Sequence, residues 1–98
     1  MYISVRRYRM KNPGTVSELM RRVEAEFVNT VSKAPGFVAY YAVDSGNQTV
    51  ASISVFQDQA GAEESNRLAA DGVRGNLVEL VETAPDTTAG EVVVQRSA

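Results

Sequence analysis

The side chains able to do chemistry in this sequence are few, and their types narrow the options before any element is drawn. The chain holds no cysteine and no histidine. That removes thiol nucleophiles, disulfides and zinc fingers, together with the commonest general base and metal ligand. Serine hydroxyls have no histidine to activate them, which excludes hydrolases of the triad kind. No carboxylate pair stands out, because Glu63 and Glu64 are adjacent and cannot face one another on a helix, and Asp71 and Glu79 belong to its surface. The glycines form neither a GxGxxG nor a GxxxxGK phosphate loop.

What remains is a set of arginines, tyrosines and one asparagine. Arg7 is a permanent cation that can stabilise a developing anion, and it alternates with Ile3 and Val5 on the strand face expected to meet the helices. Asn66 can hydrogen-bond a carbonyl. Tyr40 and Tyr41 can orient a phenol, but adjacent strand residues point to opposite faces, so only one of them can enter a cavity. Arg67 and Arg74 share a helix face. Each residue also has a plainer reading. Arg7 near a strand end reaches water, Asn66 is an exposed helix residue, Arg67 and Arg74 are solvated charges, and strand aromatics fill a core or an interface.

The elements that position these residues follow from pattern and punctuation. Tyr2 to Arg9 (YISVRRYR) reads as a strand, and Asn12-Pro13-Gly14 ends it. Thr15 and Glu18 have the spacing of a capping box. Val16, Met20, Val23, Phe27 and Val31 then form one helical stripe, broadened by Leu19 and stopped at Lys33-Ala34-Pro35-Gly36. Phe37–Asp44 and Thr49–Gln57 read as two strands joined at Ser45-Gly46-Asn47-Gln48, which is a hairpin signal. Asp58 caps a second helix, expected from Ala60 to Glu82 with a kink or interruption at Gly72 and Gly75. A loop from Pro85 to Ala89 and a strand from Gly90 to Arg96 (GEVVVQR) complete the order β-α-β-β-α-β.

At 98 residues the chain is a single domain spanning 1–98, and 44% hydrophobic against 22% charged residues suits a folded globular protein. A net charge of −2 argues against a nucleic-acid partner, and the RNP1 pattern of the RNA-recognition fold is absent. No apolar run reaches the roughly 20 residues of a membrane span. Arg6, Arg7 and Arg9 break up the first segment, so it does not read as a signal peptide, and a cytoplasmic location is expected.

The expected fold class is α+β: a ferredoxin-like βαββαβ protomer whose antiparallel four-stranded sheet carries both helices on one face. The second strand, the third strand and Val92-Val93-Val94 present apolar residues on both sides. One chain has helices for one side only. A second copy packed sheet to sheet is therefore expected, giving a two-fold homodimer, unless Ser4, Ser52 and Ser54 wet the outer face enough to leave it exposed.

Ala34-Pro35-Gly36-Phe37, Val55-Phe56-Gln57-Asp58, Ala62-Glu63-Glu64-Ser65 and Gly90-Glu91-Val92, in that framework, resemble the antibiotic biosynthesis monooxygenase-like members of the dimeric α/β-barrel superfamily. The resemblance spans essentially the whole chain. It implies a barrel dimer with a small cavity between sheet and helices in each protomer. In some members, aromatic phenols become quinones there, using molecular oxygen and no cofactor. Such chemistry needs an apolar cavity and stabilisation of a developing anion. The relatives place tryptophan, asparagine, tyrosine and arginine around the phenol; this sequence has no tryptophan. Arg7, Tyr40, Tyr41, Asn66 and Arg74 are the candidate substrate-binding residues. Haem-degrading relatives use a first-strand asparagine, a tryptophan and a histidine. The matching first-strand position is Arg7, and the other two residue types are missing, so no haem or other cofactor is expected. The expected partners are a second copy and a small apolar or aromatic ligand, and the alternative function is a non-catalytic ligand-binding or stress-associated dimer.

Overall fold

The computed structural model describes residues 1–82 and 84–98. Strands β1 (Tyr2–Arg9), β2 (Phe37–Gly46), β3 (Thr49–Phe56) and β4 (Asp86–Glu91) form one antiparallel sheet in the order β2-β3-β1-β4. The two helices join β1 to β2 and β3 to β4 and pack on the same side of the sheet, which is the ferredoxin-like arrangement.

The first helix consists of α-helical Val16–Arg22, π-helical Val23–Phe27 and α-helical Val28–Val31. No capping box forms at its start. The Thr15 hydroxyl donates back to the Asn12 carbonyl at 2.8 Å, while Glu18 is engaged by Arg21 and Arg22. Gly36, at φ +82°, makes the reversal into β2. The β2–β3 turn places Asn47 and Gln48 at φ +53° and +61°, the left-handed pair that matches the twist of a hairpin.

In the second helix the Asp58 carboxylate accepts the Gly61 N–H at 2.9 Å. Its α-helical part is Gln59–Gly72, and Val73–Leu77 continues as a π-helix. The interruption expected at Gly72 and Gly75 is this π segment. The helix stops at Leu77 rather than Glu82 because the chain turns away to pair with the end of β1. Lys11 N–H donates to the Leu80 carbonyl at 2.8 Å, and Glu82 N–H donates to the Arg9 carbonyl at 2.9 Å.

Two further expectations need correcting. The last strand is Asp86–Glu91, so most of the expected Pro85–Ala89 loop is strand and most of the expected Gly90–Arg96 strand is not. Pairing decides this rather than propensity. The register runs from Arg7↔Asp86 to Tyr2↔Glu91, and Val92 N–H closes it on the Met1 carbonyl at 2.8 Å. Val93 and Val94 lie past that point and are exposed.

The faces of the sheet are also exchanged relative to expectation. Ser4, Arg6 and Tyr8 turn towards the helices and are buried, whereas Ile3, Val5 and the exposed Arg7 point away. The cross-strand register carries the inner face on through Val50, Ser52, Ser54 and Phe56. The outer face therefore gathers Ile3, Val5, Ala51, Ile53 and Val55, with Tyr41 and Val43 of β2 alongside. Ser4, Ser52 and Ser54 do not wet that face, because they lie on the other one.

The core beneath the helices is divided. One cluster holds Tyr8, Met10, Leu19, Val50, Val73, Leu80 and Val81; the other is built on Val31, Phe56 and Ala62. Phe56 is fully buried, and Gly61 of the second helix lies against its ring. A Cβ at Gly61 would overlap that ring, with Phe56 Cγ only 2.9 Å away. Gly61→Ala is accordingly expected to cost about 2 kcal/mol through overpacking. Urea unfolding of the two proteins checks it, and equal midpoints would show that the contact has slack.

Candidate functional site

Between the two apolar clusters lies a polar layer centred on Arg6. Strand alternation delivers Ser4, Arg6 and Tyr8 from β1 and Ser52 and Ser54 from β3, and the facing turn of the second helix adds Ser65 and Asn66. Arg6 is 1% exposed. Its Nη1 donates to Asn66 Oδ1 at 2.7 Å and to Ser65 Oγ at 3.3 Å, and its Nη2 donates to Ser54 Oγ at 2.8 Å and Ser52 Oγ at 2.9 Å. Ser4 Oγ donates to the same Asn66 oxygen at 2.6 Å. The buried Nε–H has no acceptor among the described residues. No carboxylate among them comes within ion-pair distance of this guanidinium.

A buried cation surrounded only by neutral oxygens is unusual, because hydrogen bonds solvate a charge without cancelling it. Burial pushes the Arg6 pKa down, and the neighbouring Tyr8 and Tyr40 phenols act the other way. The side chain remains a cation, since guanidinium does not give up its proton in proteins. The Phe27 ring lies 5.9 Å from Arg6 Cζ and offers its π face to the charge.

Beside this layer, between sheet and helices, is a cavity of about 310 Å³ lined by Tyr8, Leu19, Val23, Phe27, Tyr40 and Ser52 among others. That volume is at the low end for small-molecule sites. Its walls are mainly apolar, and the exposed Glu26, Thr30 and Asn76 stand at its rim. Both π-helical segments contribute, Val23, Glu26 and Phe27 from the first and Val73, Asn76 and Leu77 from the second. A π turn is wider than an α turn and is often found at functional sites. Phe27 meets Tyr40 edge-on with centroids 5.3 Å apart, and the Tyr40 hydroxyl shares a 2.7 Å hydrogen bond with Ser52 Oγ. Through Ser52 the phenol is joined to Arg6.

The structure distributes the sequence candidates unevenly. Tyr40 faces the cavity, while Tyr41 is 57% exposed on the outer face. Asn66 is half-buried and part of the Arg6 layer. Arg7 is on the far side of the sheet from the cavity. Arg74 is exposed and ion-paired with Asp71, at the edge of a second depression that Arg6, Tyr8, Asn66 and Thr87 also line. Arg67 pairs with Glu64 and Asp71 on the surface. The residue missed was Arg6, one position away from the one selected. A signal was present: Ser4, Arg6 and Tyr8 alternate together, and two further serines, Ser52 and Ser54, share a face of β3.

No family model matches the chain, and no curated relative matches it in sequence. Solved structures match over nearly its whole length. A dimeric ferredoxin-like protein from an uncultured marine organism superposes with a TM-score of 0.76 at 8% identity, covering 99% of this chain and 98% of that one. A point mutant of MhuD, with two manganese protoporphyrin IX molecules bound per active site, superposes with a TM-score of 0.74 at 18% identity, over all of both chains. A candidate antibiotic biosynthesis monooxygenase from Chloroflexus aurantiacus gives 0.68 at 16% identity, covering 98% and 96%. The resemblance noted in the sequence thus extends to the fold, and a protein with that label is among the structural neighbours.

Burial raises the pKa of both Tyr8 and Tyr40 above the ordinary 10.0, more than Arg6 lowers them. A phenol whose folded pKa is raised keeps its proton in the fold, so this contribution to stability is whole below pH 10 and is lost above it. Alkaline titration followed by phenolate absorbance and circular dichroism is expected to show these two phenols ionising only as the fold is lost. Ionisation of Tyr40 in a still-folded chain, recognised by comparison with Tyr40→Phe, would contradict it.

Proposed function

We propose that the chain binds a small aromatic or quinone-type molecule between sheet and helices and acts on it as a cofactor-independent monooxygenase-like protein. The supporting observation is a largely apolar cavity with a hydrogen-bonded phenol, Tyr40, at its polar end. In this reading Phe27 and Leu19 take the rings, and the Tyr40–Ser52 pair fixes a ligand oxygen. For an anthrone-type substrate, a ring CH₂ reacts with O₂; one oxygen atom becomes the new carbonyl and the other leaves as water with the two hydrogens. The carbon loses four electrons and the oxygen gains four, so no external reductant is required.

The neighbouring MhuD holds a metalloporphyrin, but the commonest haem ligands are missing here. The sequence has no imidazole and no thiolate.

The outer face supports a second part of the proposal, a homodimer formed sheet to sheet. Ile3, Val5, Ala51, Ile53, Tyr41 and Val43 form a continuous apolar surface with no helix over it. A dimeric ferredoxin-like protein is among the fold neighbours. Sedimentation at micromolar concentration is expected to show a dimer, and Ile53→Glu, which puts a charge at the centre of the joint, a folded monomer. A wild-type chain that sediments as a lone protomer overturns the dimer.

The activity is tested by oxygen uptake with anthrone and with hydroquinone. Turnover is expected to exceed the buffer rate and to fall by about tenfold in Tyr40→Phe. Binding without turnover, seen as a rise in Tm with anthrone at the buffer rate, would favour a sequestering protein; the missing tryptophan points the same way. Absence of both turnover and a shift in Tm removes the reading altogether.

A further inference from the structure

Arg6 poses a problem that the preceding reading leaves open. Taking a guanidinium out of water is costly unless an anion accompanies it. Here the accompanying groups are three serine hydroxyls, one amide oxygen and the Tyr8 phenol, all neutral, and the Nε–H meets no acceptor at hydrogen-bond geometry among the described residues. The carboxylates nearest along the second helix do not help. Asp71 is held by Arg67 and Arg74, and Glu64 by Arg67, all on the exposed side.

Arg6 is 1% exposed, yet hollows adjoin it on two sides. Arg6 itself lines the depression between the second helix and β4, together with Tyr8 and Asn66. Its partner Ser52 and the Phe27 ring beneath it line the apolar cavity, as does Tyr8. The charge therefore separates two hollows that have Tyr8 in common, with an unused donor and aromatic walls around it. The groups facing it are Tyr8, Tyr40, Phe27, Ser52, Ser54, Ser65 and Asn66, and none carries negative charge.

We propose that the ligand supplies the missing counter-charge: the site takes an aromatic molecule bearing one oxyanion, phenolate or carboxylate, and Arg6 is the side chain that recognises it. The inference rests on the cavity being a ligand site, and it adds the charge that the ligand carries there. One oxyanion neutralises one guanidinium, and a doubly charged ligand would leave a net charge buried. The oxyanion gives Nε–H its acceptor, and the attached ring meets Tyr8, which lines both hollows. Arg6 is a binding residue here whether or not oxygen chemistry follows.

The test uses calorimetric titration of the intact protein with 2-naphthoate, its neutral isostere 2-naphthamide, and 2-naphthol. The wild type is expected to bind naphthoate at least about tenfold more tightly than the amide, a ratio equal to ~1.4 kcal/mol. Alternatively it binds naphthol with release of one proton, read from the dependence of the heat on buffer ionisation. The first result assigns a carboxylate and the second a phenolate. Arg6→Gln is expected to abolish the preference while keeping affinity for the amide, and Arg6→Lys to keep part of it. Equal binding of acid and amide, with naphthol binding neutral, overturns the proposal and leaves the cavity reading standing. No binding of any of the three probes overturns both. Where an Arg6 variant fails to fold, Arg22→Gln, at the other arginine beside the cavity, is expected to keep the preference, and its loss there overturns the assignment to Arg6.

Discussion

One buried guanidinium sets the terms for the interior of this protein. Arg6 sits near the middle of a central strand, on the side the helices cover; β3 and the second helix answer with small side chains that accept hydrogen bonds, and the first helix with the Phe27 ring. The serines at 52, 54 and 65 and the asparagine at 66 are explained by that requirement. A sheet-to-helix interface of this size would ordinarily be filled with aliphatic residues. Here the aliphatic residues are pushed to the two ends, and the core is two clusters with a polar layer between them.

The same division accounts for the cavity. The stripe Val16, Met20, Val23 and Phe27 is long enough to seal the first helix onto the sheet, yet these residues are only half-buried. Both helices widen into π turns where they pass over the space beside Arg6, and that widening lines the hollow from both sides. Tyr40 links the parts. Its ring packs edge-on against Phe27 at the cavity wall, and its hydroxyl joins the hydrogen bonds that reach the guanidinium through Ser52.

Much of this architecture was legible in the sequence. Turn residues and the helical stripe placed β1, both helix starts and the hairpin, because those signals are local. What failed depended on partners. The faces of β1 were exchanged because a reading by hydrophobicity turns Ile3 and Val5 inward, and this chain turns its greasier face outward. The last strand shifted because its limits follow β1, not the β propensity of Val92, Val93 and Val94. Thr15 and Glu18 had the spacing of a capping box, but each found a competing partner. In the site, Asn66 and Tyr40 came from type and position alone. Arg6 required the recognition that an alternating Ser-x-Arg-x-Tyr can be the inner face, which only the register to Ser52 and Ser54 makes evident.

The strand order has a consequence for how the chain acquires its shape during synthesis. β1 is translated before its neighbours β3 and β4, and its pairing partners lie as far along as Phe56 and Glu91. The β2–β3 hairpin closes over a two-residue turn and can form early, whereas β1 must wait for it and then for β4. Until that moment the ribosome-bound chain exposes a cationic segment, Arg6 to Arg9, whose central charge has none of its hydroxyl partners in place. The polar heart of the protein is thus assembled late, from pieces of message read well apart in time.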